Sequence, residues 1–406
     1  MTPPKPYLEG IRVLDFTQYL AGPACTRLLA EMGADVIKVE IPPYGDPTRA
    51  TTPRRNRRSA YYVQQNRGKR SLCIDVLRPE GVEVVKELVP HVDVVVENYS
   101  PGVMARRGLG YEDLAAINPR IIMASISGFG QTGPLASKTA FDFIAQAYTG
   151  IMHMTGEPDG PPTFVGAGIA DTSTGVHAYA AIGYALFRRD RTGEGGHIDV
   201  AMIDAMYHMQ EMGVSSASMT GGDWKAVRTG RHYQPVAPAG TFKGPEGWIV
   251  VFCVQNQIPS LWAAMGRPEL ADDERFATNP QRVEHRDELT ELIEAWMAGF
   301  DTDRDVLDVL ELHRVPCGPV LGPEELADAH PHFLERGTVR EVTDPLAGTM
   351  RIPGFPIRFS DAPPEPDLVT PDLGEHNRQI LAELLGYDDA TVDALEADGV
   401  LAWKDR

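Results

Sequence analysis

The sequence Ile11-Arg-Val-Leu-Asp-Phe16, followed by a helical stretch from Pro23 to Met32 and by Ala34-Asp-Val-Ile-Lys-Val39, predicts a strand, a helix and a second strand. The same alternation continues with a helix over Pro79–Leu88 and strands over Val92–Val96 and Ile121–Ile126. Because strands that alternate with helices form parallel sheets, the chain is predicted to have an α/β fold with a doubly wound parallel sheet. Ligands of such sheets bind beyond the carboxyl ends of the strands.

The composition changes near Gly221, where a Pro- and Gly-marked strand pair around Phe242 to Phe252 is followed by helical stretches. This change predicts a smaller α+β domain over residues 221–323, and a length of 406 residues favours two domains. Further predicted elements are a buried helix over Phe141–Met154, a helix over Thr172–Arg188, a strand over His197–Met202 and a linker over Ala362–Pro366.

The charge of the chain is unevenly distributed. A formal net charge of −19 argues against nucleic-acid binding, because a phosphate backbone would be repelled. The stretch from Pro47 to Ile74 has no acidic residue, yet it contains Arg49, Arg54, Arg55, Arg57, Arg58, Arg67, Lys69 and Arg70. This cationic segment indicates a small polyanionic ligand, and the alternative is a solvated loop or a salt-bridged subunit face.

Cysteine spacing and hydropathy indicate a cytoplasmic protein. Cys25, Cys73, Cys253 and Cys317 are far apart and form no Cys-x-x-Cys motif, so we expect neither disulfides nor a metal site. No apolar leader and no run of about 18 apolar residues is found, so we expect no membrane association. The glycine fingerprints of dinucleotide and nucleoside-triphosphate sites are also missing.

Asp171 is the candidate nucleophile. It follows the small-residue run Gly166-Ala-Gly-Ile-Ala170 and precedes the helix predicted to begin at Thr172. A helix N-terminus stabilises negative charge, so we expect this carboxylate to be held ionised and able to attack a carbonyl carbon. The alternative is that Asp171 only caps its own helix.

Eight motifs occur in an order that resembles the family III CoA-transferases, the CaiB/BaiF family. They are Leu8-Glu-Gly-Ile-Arg-Val-Leu-Asp-Phe16, Ala21-Gly-Pro23, Gly33-Ala-Asp-Val-Ile-Lys-Val-Glu40, Asn66-Arg-Gly-Lys-Arg-Ser71, Val96-Glu-Asn-Tyr-Ser-Pro-Gly102, Gly166-Ala-Gly-Ile-Ala-Asp171, Val315-Pro-Cys-Gly-Pro-Val320 and Leu373-Gly-Glu-His376. The resemblance implies an intertwined homodimer. It also implies a Rossmann-like large domain formed by residues 1–220 and 324–406, with residues 221–323 as the small domain.

The resemblance further implies that Asp171 forms a mixed anhydride and then an aspartyl-CoA thioester, with coenzyme A as a substrate and no cofactor. Supporting residues would be Gln18, Asp142 and Gln146. The implied CoA contacts are Tyr19, Leu20, Ile74, Asn98, Tyr99, Arg106, Arg107 and Met202. Ile41 and Leu77 replace basic residues of the formyl-CoA branch, so we hypothesise that Lys69, Arg70 or the arginines at 54–58 hold the CoA phosphates instead.

Two other functions are open at this point. An α-methylacyl-CoA racemase of the same fold needs a histidine base where this chain has Phe141, and phenylalanine cannot carry a proton. A catalytically silent CoA-binding protein is the second alternative, although the presence of Asp171 gives no reason to prefer it.

Overall fold

The computed structural model describes residues 5–329, 331–361 and 368–403, so the predicted linker Ala362–Pro366 lies outside the described residues. The chain forms two compact units. The first comprises described residues of Met1–Thr149, Gly166–Gln210 and Ala329–Arg406, and the second comprises Gly150–Val165 and Glu211–Asp328. The domain limits drawn from the sequence stay a prediction.

The strands among the described residues follow the predicted order closely. They are β1 Arg12–Asp15, β2 Asp35–Glu40, β3 Arg54–Arg55, β4 Arg58–Ser59, β5 Arg70–Cys73, β6 Val94–Glu97, β7 Ile122–Ser127, β8 Gly196–Ala201, β9 Ala239–Lys243, β10 Trp248–Phe252, β11 Cys317–Pro319, β12 Val339–Asp344 and β13 Gly348–Pro353.

The helices of the described residues occupy the intervals between these strands. They are α1 Ala21–Glu31, α2 Ala60–Asn66, α3 Pro79–Leu88, α4 Val103–Arg106, α5 Tyr111–Ile117, α6 Asp142–Tyr148, α7 Ile151–Met154, α8 Ile169–Thr192, α9 Met202–His208, α10 Gly213–Met219, α11 Ile258–Ala264, α12 Asn279–Glu284, α13 Arg286–Met297, α14 Asp303–Leu312, α15 Pro323–Ala329, α16 Pro331–Glu335, α17 Asn377–Leu385 and α18 Asp389–Ala397.

A six-stranded parallel sheet confirms the predicted α/β fold. Its order is β5-β2-β1-β6-β7-β8, and Val13 of β1 pairs with Val36 of β2 on one side and with Val94 of β6 on the other. The chain leaves β1 toward β2 and β5 and then returns to β6 on the opposite side of β1. The connections therefore diverge between β1 and β6, which is where a doubly wound sheet opens a crevice for ligands.

Alternate residues of the strands supply two hydrophobic cores, one on each face of the sheet. Leu14 and Ile37 belong to the core that contains residues of α3 and α17. Val13 and Val36 belong to the core that contains residues of α1 and α8. Full burial of such a side chain contributes about 1.5–3 kcal/mol, so helices on both faces hold the sheet in place.

A close approach of α1 and α8 fixes the position of the first turns of α8. A Cβ atom added to Gly175 would lie 2.5 Å from the carbonyl oxygen of Ala21 and 2.9 Å from the Cβ of Ala24. Only a residue without a side chain fits between the two helices at this point. The N-terminal end of α8 is thereby held next to the start of α1, which directly follows the loop after β1.

The structure differs from the sequence prediction at two elements, a strand that was missed and a helix that is interrupted. The edge strand β5 was not predicted, because Arg70 and Ser71 interrupt its apolar character and use their side chains in contacts with Asp35 and Glu40. The single buried helix predicted over Phe141–Met154 is two helices, α6 and α7, with Gly150 at a φ of +82° between them. Apolar residues of α6 are exposed in the chain, namely Phe143, Ile144 and Tyr148.

The second unit has the α+β character that the sequence predicted. Strands β11, β10 and β9 form an antiparallel sheet in that order. Its buried face packs on helical residues, with Phe242 and Ile249 from the strands and Trp262, Ile293 and Leu310 from α11, α13 and α14 in one core. A satellite sheet with its own core is typical of a smaller α+β unit.

The state of the cysteines and the polarity of the helices can be read from the described residues. Cys25, Cys73, Cys253 and Cys317 are free thiols, and the first three are buried. Within the described ranges, every helix is too short or too polar to cross a lipid bilayer.

The substitution Gly175→Ala should destabilise the protein by about 1–3 kcal/mol, because the new methyl group would clash with the backbone of α1. Gly183→Ala on the same helix is the matched control, since its Cβ meets nothing within 4 Å and alanine favours helix. Urea unfolding of both variants measures the difference. Equal stability of the two variants would contradict the close approach.

Candidate active site

A cleft of about 240 Å³ opens at the carboxyl edge of the parallel sheet, within the first unit. Its walls are the loops after β1, β6 and β7 and the first turns of α8 and α9. The crevice between β1 and β6 is thus part of the cleft, as the fold class predicts. The residues predicted for the site that line it are Gln18, Tyr19, Leu20, Asn98, Tyr99, Asp171 and Met202.

Asp171 lies in the first turn of α8, which begins at Ile169 rather than at the predicted Thr172. The N-cap residue is Gly168, so the alternative in which Asp171 only caps its helix is wrong. The backbone N–H of Asp171 donates a hydrogen bond of 3.0 Å to Oδ2 of Asp142, and Asp171 is one of the residues that line the cleft. A molecule bound in the cleft would therefore lie beside this residue.

Asp142 and Gln146 form the support of this helix end. Asp142 is the first residue of α6 and is 7% exposed, and Gln146 lies one turn later and is fully buried. Nε2 of Gln146 donates to Oδ1 of Asp142 at 2.5 Å, and the other carboxylate oxygen accepts the N–H of Asp171. The structure thus brings the predicted supporting pair next to the predicted nucleophile.

The ionisation of Asp171 differs from the sequence expectation. Burial and the negative charge of Asp142 raise the pKa of Asp171 from its ordinary 3.8 to about 7. A helix N-terminus contributes typically 0.3–1 kcal/mol to an anion, and one pKa unit is about 1.4 kcal/mol, so desolvation beside a second carboxylate outweighs it here. The helix end therefore does not keep the pKa of Asp171 low, and near neutral pH the carboxyl group is divided between its ionised and protonated forms.

The loop after β1 carries an unusual backbone conformation at the cleft. Tyr19 has a φ of +64°, in the left-handed region that residues other than glycine rarely adopt. Its ring makes an edge contact with Phe141, with ring centroids 5.9 Å apart. The side chain of Asn98, from the loop after β6, hydrogen-bonds the backbone of Gln18. The first three residues of the loop wall are thereby fixed.

The remaining predicted CoA contacts are only partly brought together. The guanidinium carbon of Arg107 lies 5.0 Å from the ring centroid of Tyr99, a cation–π distance. Arg106 is exposed at the end of α4. Met202 begins α9 and lines the cleft. Ile74 is fully buried in the hydrophobic core against which Tyr99 packs, and it does not line the cleft.

The hypothesis that the cationic segment holds CoA phosphates is wrong for its buried members. Nζ of Lys69 is 2.9 Å from Asp15 with both side chains 0% exposed, and Arg58 is buried between Asp344 and Asp372. The other ion pairs of the segment join Arg49 to Glu40, Arg67 to Glu31, and Arg70 to Asp35 and Glu383. Buried charges need such partners, so these cations serve the fold.

Sequence reasoning missed part of the wall between β7 and α6. Lys138, Thr139 and Ala140 line the cleft, and Lys138 donates to the hydroxyl of Tyr148 at 3.2 Å. The signal was available, because the loop that follows β7 leaves the carboxyl edge of the sheet.

Comparisons with known proteins agree with this arrangement. Residues 8–377 match CoA-transferase family III, and the chain belongs to this family. It is 39% identical to the succinyl-CoA–D-citramalate CoA-transferase of Chloroflexus aurantiacus over 98% of this chain and 99% of the relative. It is 38% identical to the succinyl-CoA:glutarate CoA-transferase of Mus musculus over 97% and 90%. A solved CaiB/BaiF family protein from Brucella suis has 39% identity and a TM-score of 0.82, covering 94% of this chain and all of that chain.

These findings make the protein a CoA-transferase enzyme whose substrates are acyl-CoA and carboxylic acids. The roles of individual residues in the cleft stay predictions.

Asp171→Asn should stabilise the folded protein at pH 8. The folded pKa of about 7 lies above the ordinary 3.8, so the free energy of unfolding of the natural protein falls as pH rises between these values. At pH 8 the asparagine variant should be more stable by about 2–4 kcal/mol, with the gain disappearing near pH 4. Urea unfolding at both pH values measures this difference.

Asp190→Asn is the control, since Asp190 is exposed on the same helix. Its effect should stay within about 0.5 kcal/mol at either pH. A stability gain of Asp171→Asn that does not depend on pH would contradict the raised pKa.

Proposed function

We propose that this enzyme transfers coenzyme A from an acyl-CoA to a free carboxylic acid with Asp171 as the covalent nucleophile. The observation that carries the proposal is the position of Asp171 in the wall of the cleft, with its backbone N–H held by Asp142. A pKa of about 7 leaves a large fraction ionised at neutral pH. It also gives an oxygen more basic than an ordinary carboxylate, which favours nucleophilic attack.

The proposed steps balance without a net proton transfer. Oδ of Asp171 attacks the thioester carbonyl, the C–S bond breaks, and CoA thiolate leaves behind a mixed anhydride. The thiolate then attacks Cγ of Asp171 and expels the donor acid as a carboxylate, which gives an aspartyl-CoA thioester. The acceptor carboxylate attacks Cγ and displaces the thiolate, which finally attacks the acceptor's acyl carbon and releases Asp171. Backbone N–H groups at the start of α8 suit the oxyanions that form at each attack.

We further propose succinyl-CoA as the donor and a dicarboxylic acid of about the size of glutarate as the acceptor. The relatives at 39% and 38% identity are named for succinyl-CoA with D-citramalate or glutarate. Both pairs are dicarboxylic, and the similarity covers nearly the whole chain.

The racemase alternative has less support. Phe141 stands beside the cleft at the residue before Asp142, where a racemase would need a histidine base. Its ring has no exchangeable proton, so the wall opposite Asp171 offers no acid or base at that position. The free thiols suit the cytoplasmic location that we propose.

Replacing Asp171 tests the chemistry. With succinyl-CoA and a panel of carboxylic acids, the natural protein should form new acyl-CoA esters, and Asp171→Asn and Asp171→Ala should lose at least a thousandfold in kcat, because a bond to the Asp171 carboxyl group is made or broken in every step. Mass spectrometry of the acyl-CoA products measures the exchange, with Asp190→Asn as the control.

Hydroxylamine added with acyl-CoA should trap Asp171 as a hydroxamate, which peptide mass spectrometry detects. Full turnover by both Asp171 variants, or exchange of an α-proton without CoA transfer, would contradict the proposal.

We also propose an intertwined homodimer. Tyr184 and Phe187 on α8 are 77% and 57% exposed, and exposed apolar residues on α6 lie in the same unit. Exposed apolar patches of this kind usually mark interfaces. Light scattering after gel filtration should give twice the 44.4 kDa mass of one chain. The mass should stay unchanged on dilution, because interlocked rings cannot separate without unfolding; a monomer at micromolar concentration would contradict the dimer.

A further inference from the structure

Asn98 joins the two loops at the crevice between β1 and β6. Its Oδ1 accepts the backbone N–H of Gln18 at 2.8 Å, and its Nδ2 donates to the backbone carbonyl of Gln18 at 2.8 Å. One side-chain amide thus satisfies both polar groups of a single residue in the opposite loop. Both residues line the cleft, so the pair of bonds lies at the point where the sheet's connections diverge.

The loop that carries Asn98 is itself fixed. Glu97, the last residue of β6, is 4% exposed, and its Oε2 accepts the N–H of Tyr99 at 2.8 Å. The ring of Tyr99 in turn lies against the guanidinium group of Arg107. The residues on both sides of Asn98 are therefore held, and the amide can act as a rigid support for the other loop.

The loop that Asn98 holds needs such support. Nζ of Lys38 donates to the carbonyl of Thr17 at 2.8 Å, so the residue before Gln18 is anchored to β2. The residue after it, Tyr19, has a φ of +64°, a conformation that costs on the order of 1–2 kcal/mol for a residue other than glycine. Hydrogen bonds on the preceding residue can keep Tyr19 and Leu20 in this conformation at the wall of the cleft.

We infer that Asn98 is a positioning residue, whose side-chain amide shapes the Gln18–Leu20 wall for acyl-CoA, rather than a residue that holds coenzyme A through its side chain. The expected effect on the KM for acyl-CoA rests on the proposed function, whereas the expected conformation of the loop in the free enzyme does not depend on it. Both hydrogen bonds exist before any substrate is bound.

Hydrogen exchange of the free enzyme tests the clamp without any reaction. In Asn98→Ala, the peptide that contains residues 17–20 should exchange at least tenfold faster than in the natural protein, because the N–H of Gln18 loses its acceptor. Asn118→Ala is the matched control: Asn118 holds the backbones of Val89 and Val92 at 3.2 and 3.1 Å, outside the cleft. Its exchange at residues 17–20 should be unchanged.

Kinetic measurements distinguish a positioning role of Asn98 from a general loss of folded structure. Both Asn98 variants should raise the KM for acyl-CoA about tenfold while kcat stays within about threefold, and Asn118→Ala should leave KM unchanged. Asn98→Asp adds a pH signature, because its carboxylate faces the carbonyl of Gln18, whereas its protonated form donates to that carbonyl as the amide does. The ratio of its KM to that of the natural enzyme should fall toward one as pH drops, and the ratio for Asn98→Ala should not change.

A raised KM with unchanged exchange at residues 17–20 would overturn the inference, because it would mark Asn98 as a direct contact to coenzyme A. Faster exchange with an unchanged KM would overturn it as well. If no acyl-CoA serves as a donor, the proposed function fails, while the exchange measurement still decides whether the clamp exists.

Discussion

The hydrogen bond from the N–H of Asp171 to the carboxylate of Asp142 is the constraint on which the site depends. It ties the first turn of α8 to the first turn of α6 and brings two carboxyl groups together in a poorly hydrated place. Burial is the larger cause of the raised pKa of Asp171, and the like charge of Asp142 adds to the effect. The same contact therefore both positions Asp171 and makes its ionised form unfavourable.

The surrounding fold supplies the rigidity that such a site needs. Gly175 lets α8 approach α1 closely, one turn beyond Asp171. This packing prevents a shift of α8 that would move the carboxyl group of Asp171 away from Asp142. Below the sheet edge, Lys38 and Lys69 surround Asp15, and although burial alone would raise the pKa of Asp15, the two cations bring it down to about 2. A buried network of this kind is costly to break, since removal of one partner leaves an unpaired charge.

Much of the fold could be predicted from the sequence because period and capping signals agree with tertiary structure there. Helix α3 has the predicted bounds, and strands β1 and β2 differ from their predicted bounds by one residue at each end. The failures have physical causes. Strand β5 lacks the apolar run of a buried strand because it begins with Arg70, which pairs with Asp35 of the neighbouring strand β2. The break between α6 and α7 depends on one left-handed glycine, Gly150, which a helical pattern hides.

The sequence predicted which residues form the site, but not how their charges interact. Motifs locate Asp171, Asp142 and Gln146 in the sequence, and the sheet rule locates the loops. Neither gives the distance between two carboxyl groups, and a pKa depends on that distance and on hydration. The arginines of the cationic segment show the same limit: their partners, such as Glu40 for Arg49 and Asp344 for Arg58, are distant or unmarked in sequence. The composition therefore indicated a site for a polyanion, whereas most cations of this segment form ion pairs with carboxylates of the same chain.

The raised pKa of Asp171 agrees with a position in the first turn of α8 rather than at its N-cap. An N-cap aspartate gains its stabilisation from bonds to its own helix, and this lowers both its pKa and its reactivity. Here Gly168 takes the cap position, and Asp142 takes the N–H that an aspartate side chain could have used. The carboxyl group is left without that stabilisation, and burial beside Asp142 raises its pKa.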